Sequence, residues 1–297
     1  MVDSIFSVKN ISEAEVVVLG APYEKTASSH KGTINGPKAV MDILDSKLEL
    51  FDRTYRSEIS KKIKIGHKNL NGINLLSPDR ALAQITSECN KILEKNKFVF
   101  LLGGEHSVSL GLFQALAKKF HPKNVTILHI DAHCDLRDDN SDYDDTNTTN
   151  LAHSCVMRRA HELGYGLVQV GIRTYYKDEY KYFSNPKNKI KVFEWGNGKK
   201  IPSVAEILKS IKTKYVYISI DVDGFDPAQM PGTGTPVQGG LGWWYGMDLI
   251  EKVVKSKNLV GADIVEVSPM RDSVLTEYGA AQLCYTMIAH KFSKKFN

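Results

Sequence analysis

The sequence predicts a three-layer α/β/α fold built on a mostly parallel sheet, and three observations carry that prediction. Short apolar runs recur along the whole chain, at residues 16–19, 98–102, 125–130, 167–170, 190–193, 215–220 and 260–267. Most of them lack polar alternation, as expected of parallel strands covered on both faces. Helical patterns fill the gaps, and this strand–helix alternation over 297 residues argues for one domain, 1–297.

Taken in order, residues 16–19 open the sheet and residues 63–65 are read as a further short strand. Ser77-Pro78 then places a cap and a first-turn proline before Leu82, Ile85, Cys89, Ile92 and Leu93, which share one helical face. The strand at 98–102 runs into Gly103-Gly104, where the backbone can turn sharply, and His106 opens the next helix. The strand at 125–130 ends in Asp131-Ala132-His133-Cys134-Asp135. From Asp138 to Asn150 the chain is polar and aperiodic, a loop long by ordinary priors. Ser203-Val204-Ala205-Glu206 is a capping box. The strand at 215–220 ends in Asp221-Val222-Asp223, the run at 260–267 contains Glu266, and a last helix is expected over 277–290.

Composition excludes several function classes. Lys and Arg number 39 against 34 Asp and Glu, and the basic residues are scattered rather than striped, so no nucleic-acid partner is indicated. No run approaches the ~18 apolar residues of a membrane span. The N-terminal residues lack the pattern of a signal peptide. The four cysteines have no metal-type spacing and read as free thiols of a reducing compartment, so a soluble, cytoplasmic protein is expected.

The chemistry lies at the strand ends. In extended chain, residues at i, i+2 and i+4 point the same way, so Asp131, His133 and Asp135 converge, as do Asp221 and Asp223. Carboxylates at such quarters repel one another unless cations sit between them. A mixed Asp/His set suits a borderline-hard divalent ion such as manganese. Open parallel sheets bind ligands beyond the carboxyl ends of their strands, where all these residues fall.

Gly103-Gly104-Glu105-His106-Ser107, Asp131-Ala132-His133-Cys134-Asp135 and Ser219-Ile220-Asp221-Val222-Asp223-Gly224-Phe225-Asp226-Pro227 together resemble the signature segments of the ureohydrolases, the family of arginase and agmatinase. Gly20-Ala21-Pro22-Tyr23, Gly36-Pro37-Lys38-Ala39, Pro231-Gly232-Thr233-Gly234-Thr235-Pro236 and Asp263-Ile264-Val265-Glu266-Val267 extend the likeness over most of the chain. The resemblance implies a sheet of about eight strands, two Mn2+ per chain and a homo-oligomer, trimer or hexamer. By motif, one ion would be held by His106, Asp131, Asp135 and Asp221, the other by His133, Asp131, Asp221 and Asp223. Attack on a delocalised guanidinium carbon needs a hydroxide equivalent, which two divalent ions supply by acidifying water. Asp135 would help protonate the leaving amine, His153 matches the family's proton-shuttling histidine, and Glu266 matches the carboxylate that pairs with the guanidinium.

For the substrate, His153-Ser154-Cys155-Val156-Met157-Arg158-Arg159 resembles microbial agmatinases, which implies conversion of agmatine to putrescine and urea. Guanidinobutyrate, arginine and formiminoglutamate are the alternatives within the family. Asp138, Asp139, Asp142, Asp144 and Asp145 are expected near the mouth of the site, as an acidic rim that attracts a small cationic guanidino substrate. Asn147, Thr148, Thr149 and Asn150 of the same loop are candidates for holding a carboxylate instead. Trp243-Trp244-Tyr245 is read as packing or subunit contact.

Overall fold

The computed structural model describes residues 4–296. Eight parallel strands form one sheet: β1 (Val16–Ala21), β4 (Ile65–Asn69), β5 (Phe98–Gly103), β6 (Val125–Ile130), β7 (Gly166–Ile172), β8 (Lys191–Glu194), β9 (Tyr215–Asp221) and β10 (Asn258–Val265). A separate antiparallel ribbon pairs β2 (Phe51–Asp52) with β3 (Ser57–Glu58), which the sequence pattern does not reveal because each strand is two residues long. The spatial order of the sheet is β4-β1-β5-β10-β9-β6-β7-β8. The last strand in the chain thus lies between β5 and β9, at the middle of the sheet.

Successive side chains of each buried strand feed opposite cores. Val16 and Val18 enter one and Val17 and Leu19 the other; Phe98, Phe100 and Leu102 alternate likewise with Val99 and Leu101. The first core is closed by α1 (Gly36–Ser46), α6 (Val204–Ser210), α7 (Trp243–Ser256) and α8 (Leu275–Lys291). The second is closed by α2 (Pro78–Leu93), α3 (Ser109–Lys119), α4 (Val156–Glu162) and α5 (Lys177–Ser184). This is the expected three-layer architecture. Both hydrogen bonds of the Ser203/Glu206 capping box are present.

Two strand expectations move. The run at 63–65 becomes β4, Ile65–Asn69, in which Gly66, His67, Lys68 and Asn69 are tolerated because β4 is an edge strand. The run at 260–267 ends as a strand at Val265, and Glu266 lies just beyond it in a left-handed conformation, φ 61°. That turn aims its carboxylate along the carboxyl edge instead of into the layer below.

The aromatic trio divides by direction. Trp243 packs on Phe225 at 5.8 Å, and Tyr245 packs on Trp195 at 5.1 Å while donating to the Pro202 carbonyl. Trp244 faces outward with the Arg53 guanidinium 5.5 Å from its ring centre. Among the described residues no helix is long and apolar enough to cross a membrane.

Candidate metal centre and active site

Four neighbouring strands, β5, β10, β9 and β6, end level with one another, and their carboxyl ends carry the residues singled out by the sequence. Gly103 and Gly104 let the chain leave β5 beneath Tyr23: a Cβ on Gly104 would sit 2.1 Å from the Tyr23 carbonyl oxygen. His106 follows, wholly buried. Asp135 takes a left-handed turn, φ 53°, and its carbonyl accepts the Met157 and Arg158 N–H groups opening α4, each at 3.0 Å. A non-glycine residue in that region is held there by its surroundings.

Two groups of donors result, and they share Asp131. His106 Nδ1 lies 3.3 Å from Asp131 Oδ2, 3.0 Å from Asp135 Oδ2 and 3.6 Å from Asp221 Oδ2. His133 Nδ1 lies 3.5 Å from Asp131 Oδ1 and 3.0 Å from Asp223 Oδ2. Within each of the groups His106–His129–Asp131–Asp135 and Asp131–His133–Asp223, one donor atom per residue falls within 4.8 Å of the others. Asp221 stands beside the first group and accepts the Asp223 N–H through Oδ1 at 2.9 Å, which leaves Oδ2 facing His106. Asp131, Asp135, Asp221, Asp223, His106 and His133 are therefore brought together.

The hydrogen bonds fix which imidazole nitrogen is free to bind. Ser219 Oγ donates to Asp263 Oδ1 at 2.7 Å, so it accepts from His106 Nε2 at 2.9 Å. His106 Nδ1 is left with its lone pair aimed at three carboxylates, and it has no hydrogen-bond partner. A lone pair opposed to carboxylate oxygens is repulsive unless a cation, or a proton, lies between. The donor set fits a divalent ion. His129 differs. Gln169 Nε2 donates to the Cys134 carbonyl and to His129 Nδ1, so His129 Nε2 carries the proton and donates to Asp131 Oδ2 at 2.7 Å. His129 orients Asp131 and is not a ligand.

The family model described as Arginase family matches residues 14–289. The chain belongs to the arginase family. An N(1)-aminopropylagmatine ureohydrolase from Synechocystis sp. is 33% identical over 289 residues, 96% of this chain and 91% of its own length. An agmatinase from Bacillus subtilis is 32% identical over 268 residues, 88% of this chain and 86% of its own. The solved agmatine ureohydrolase of Thermoplasma volcanium matches with a TM-score of 0.81 at 29% identity, covering 100% of this chain and 96% of that one. The protein is thus an arginase-family ureohydrolase, an enzyme whose family has a binuclear metal site.

Above the donor groups of this ureohydrolase lies a cavity of about 320 Å³ lined by His133, Asp135, His153 and Asp221 at its base. His153 Nδ1 is 3.4 Å from Glu266 Oε1, and its Nε2 accepts the Ser28 N–H at 3.2 Å. Glu266 Oε1 also accepts the His106 N–H at 2.8 Å, which ties the shuttle candidate to the metal-facing loop. Buried Glu105 organises the wall from behind. Its carboxylate accepts from Ser107 and from the Thr26 N–H and hydroxyl, and Thr26 Oγ1 accepts the His153 N–H at 3.1 Å.

The acidic-rim expectation is narrowed: of the five loop aspartates only Asp142 lines this cavity, Asp138 and Asp139 line an adjoining one, and Asp144 and Asp145 line neither. Asp142 is ion-paired with Arg137. Asp138 pairs with Arg158 and Arg159, Asp139 closes a turn at Ser141, and Asp144 accepts from Thr146 and Asn147. An aspartate in a polar loop satisfies its own backbone before it projects anywhere. The Asn147 side-chain amide donates to Asp144 and Thr146, the Thr149 hydroxyl accepts the Leu151 N–H, and none of residues 147–150 lines the cavity. Sequence reasoning missed His129, Ser219 and Asp263, whose signal was available as polar side chains inside otherwise apolar strands. It also missed Arg137 and Arg173, whose guanidinium donates to the Asp223 and Val237 carbonyls at 2.6 and 2.7 Å.

Against its burial, Asp131 is held below the usual carboxylate range by its histidine neighbours, which bears on stability only in acid, and the other shifted metal-facing groups all move upward. Burial opposes the charged form of His106 and His133, but Asp131 with Asp135 and Asp223 with Asp131, respectively, outweigh it and hold both well above an ordinary histidine. Burial and then the neighbouring carboxylates push Asp221 up; burial also raises Asp223. Groups whose folded pKa is raised stabilise the fold below their unfolded pKa and lose that contribution as pH rises through the folded value. Metal-free protein should therefore melt on the order of 5 °C lower at pH ~9 than at pH ~6. Added Mn2+ should remove the loss and release protons on binding. Differential scanning calorimetry with and without metal reads this, and a metal-free melting temperature that rises with pH contradicts it.

Proposed function

We propose that this ureohydrolase is a two-ion manganese enzyme that hydrolyses agmatine to putrescine and urea. The observation that carries the reading is the pair of donor groups joined at Asp131, with the His106 Nδ1 lone pair directed at carboxylates. His106, Asp131, Asp135 and Asp221 would hold one ion, and His133, Asp131, Asp221 and Asp223 the other. Four aspartates and two divalent ions balance in charge, which suits neutral imidazole ligands. Bound there, the ions would supply a hydroxide equivalent at neutral pH and electrostatic stabilisation at the reacting centre.

The chain's own residues do the rest. Glu266, fixed by the His106 N–H, offers its carboxylate to the guanidinium and sets which face meets the nucleophile. Asp135 stands at the base of the cavity, where it can take a proton and give it to the departing amine. His153 lines the cavity beside Glu266, and in this reading it exchanges that proton with solvent.

A second substrate reading, N(1)-aminopropylagmatine, is favoured by the Synechocystis relative and by one further feature. A neighbouring cavity of about 280 Å³ shares Arg137, Asp142, Tyr176 and Glu179 with the first and adds Asp138, Asp139 and Asp178. A longer polyamine tail has room to continue there. The test is urea release by manganese-loaded protein from agmatine, N(1)-aminopropylagmatine, 4-guanidinobutyrate and arginine side by side. A kcat/KM highest for agmatine supports the first reading, and one highest for the aminopropyl compound selects the second. Urea from none of the four rejects both.

A further inference from the structure

The wall of the active-site cavity holds one ion pair, Arg137 with Asp142, and its surroundings leave little freedom to either partner. The Arg137 guanidinium lies between two aromatic rings, 5.5 Å from the centre of Tyr143 and 5.0 Å from that of Tyr176. Tyr143 is itself held, since its hydroxyl bonds Ser154 Oγ at 2.9 Å and its ring meets His153 edge-on at 6.1 Å. The Arg137 N–H donates to the Ser154 carbonyl at 3.1 Å. The Asp142 carboxylate is partly exposed to the cavity and has no donor other than Arg137 among the described residues.

A carboxylate can accept several donors at once, whereas a guanidinium paired with a carboxylate presents little net positive charge to a second anion, although it keeps free N–H donors. A free arginine in this wall would be a ready receptor for a carboxylate-tailed guanidine. Paired and clamped, it does the opposite: its charge is offset by Asp142, whose Oδ1 has no protein partner among the described residues. We infer that the Arg137–Asp142 pair determines specificity by the charge of the substrate's tail. Asp142 receives a distal ammonium, and Arg137, kept occupied, turns away a distal carboxylate. The inference rests on the ureohydrolase reading of the site and adds to it the residue that selects among guanidino compounds.

Asp142→Asn removes the acceptor charge and frees Arg137 in one step. In manganese-loaded protein the agmatine KM should rise about 10- to 100-fold, the scale of one charged hydrogen bond, with little change in kcat. Over the same change, kcat/KM for 4-guanidinobutyrate should rise at least about 10-fold. Arg137→Met, a second variant, should weaken agmatine without any gain for 4-guanidinobutyrate, because no receptor for the carboxylate remains. A merely structural role would lower both substrates in parallel, so the ratio of the two is the decisive readout. An unchanged ratio in Asp142→Asn, or wild-type protein that prefers 4-guanidinobutyrate, overturns the inference while leaving urea release intact. Calorimetric binding of 1,4-diaminobutane and 4-aminobutyrate reads the same ratio without turnover. If no guanidine yields urea, a diamine preference that reverses in Asp142→Asn still supports the pair's role, and equal binding of the two refutes it.

Discussion

Asp131→Asn is expected to lower turnover on the order of 10³-fold, the scale set by loss of a preorganised charge at the reacting centre. Bound manganese should fall from about two ions per chain, the number a bridged site holds, to one or none. Asp131 belongs to both donor groups, with Oδ2 toward His106 Nδ1 at 3.3 Å and Oδ1 toward His133 Nδ1 at 3.5 Å. Asparagine keeps the shape but presents one amide N–H₂, which would donate to an imidazole lone pair and fill the place of a cation. Elemental analysis alongside kinetics checks the outcome. Metal-free Asp131→Asn protein should stay folded by circular dichroism while melting a few degrees below metal-free wild type. Against its burial, His129, His106 and His133 hold the Asp131 carboxyl well below the usual carboxylate range, and that stabilisation is lost. A large fall in melting temperature would assign the loss to folding instead.

Glu266→Gln separates substrate positioning from metal binding. Glutamine retains the oxygen that accepts the His106 N–H at 2.8 Å, so the left-handed turn at Glu266 and the loop carrying His106 should stay in place. What disappears is the negative charge that the proposed mechanism pairs with the guanidinium, beside the His153 ring 3.4 Å away. The expected result is unchanged metal content and a kcat/KM for agmatine lowered about 10²-fold, one charged hydrogen bond's worth. Loss of metal, or unaltered kinetics, would show that Glu266 does something else.

Much of this was legible in the sequence because the determining forces are local. Apolar runs without alternation gave the strands of a doubly covered sheet. The i, i+2, i+4 argument picked the right residues for the wrong reason. Asp131, His133 and Asp135 lie beyond β6, with Asp135 at φ 53°, and Asp223 sits in a short turn, so turns and not extended chain send His133 and Asp135 to different donor groups. The adjacency of the four site-bearing strands was not legible, since β10 comes last in the chain yet inserts between β5 and β9. Strand order is decided by long-range packing, not by any run's composition. The same limit explains Asp263: its carboxylate accepts from Tyr217 at 2.6 Å and from Ser219 at 2.7 Å only because β10 lies beside β9. The aspartate-rich loop was only partly legible for the reverse reason. Asp139 and Asp144 satisfy neighbours two or three residues away and Asp138 pairs with Arg158 and Arg159, so only Asp142 turns to the cavity over the donor groups.

The ion pairs at the rim and the buried donors beneath it play different parts. Surface pairs such as Lys38–Asp42 and Lys181–Asp178 contribute little to stability. The buried His106–Ser219–Asp263–Tyr217 chain is satisfied at every step except the nitrogen that faces Asp131, Asp135 and Asp221. A network complete everywhere but at one inward-facing lone pair is arranged around a ligand.

The most direct test of two-ion guanidine hydrolysis is a manganese titration of chelator-treated protein, followed by urea release from agmatine and by bound metal per chain. The account predicts no urea before metal is added, and activity that reaches its plateau at about two ions per chain. Urea release without metal, full activity at one ion per chain, or two bound ions with no hydrolysis of any guanidino compound would contradict it.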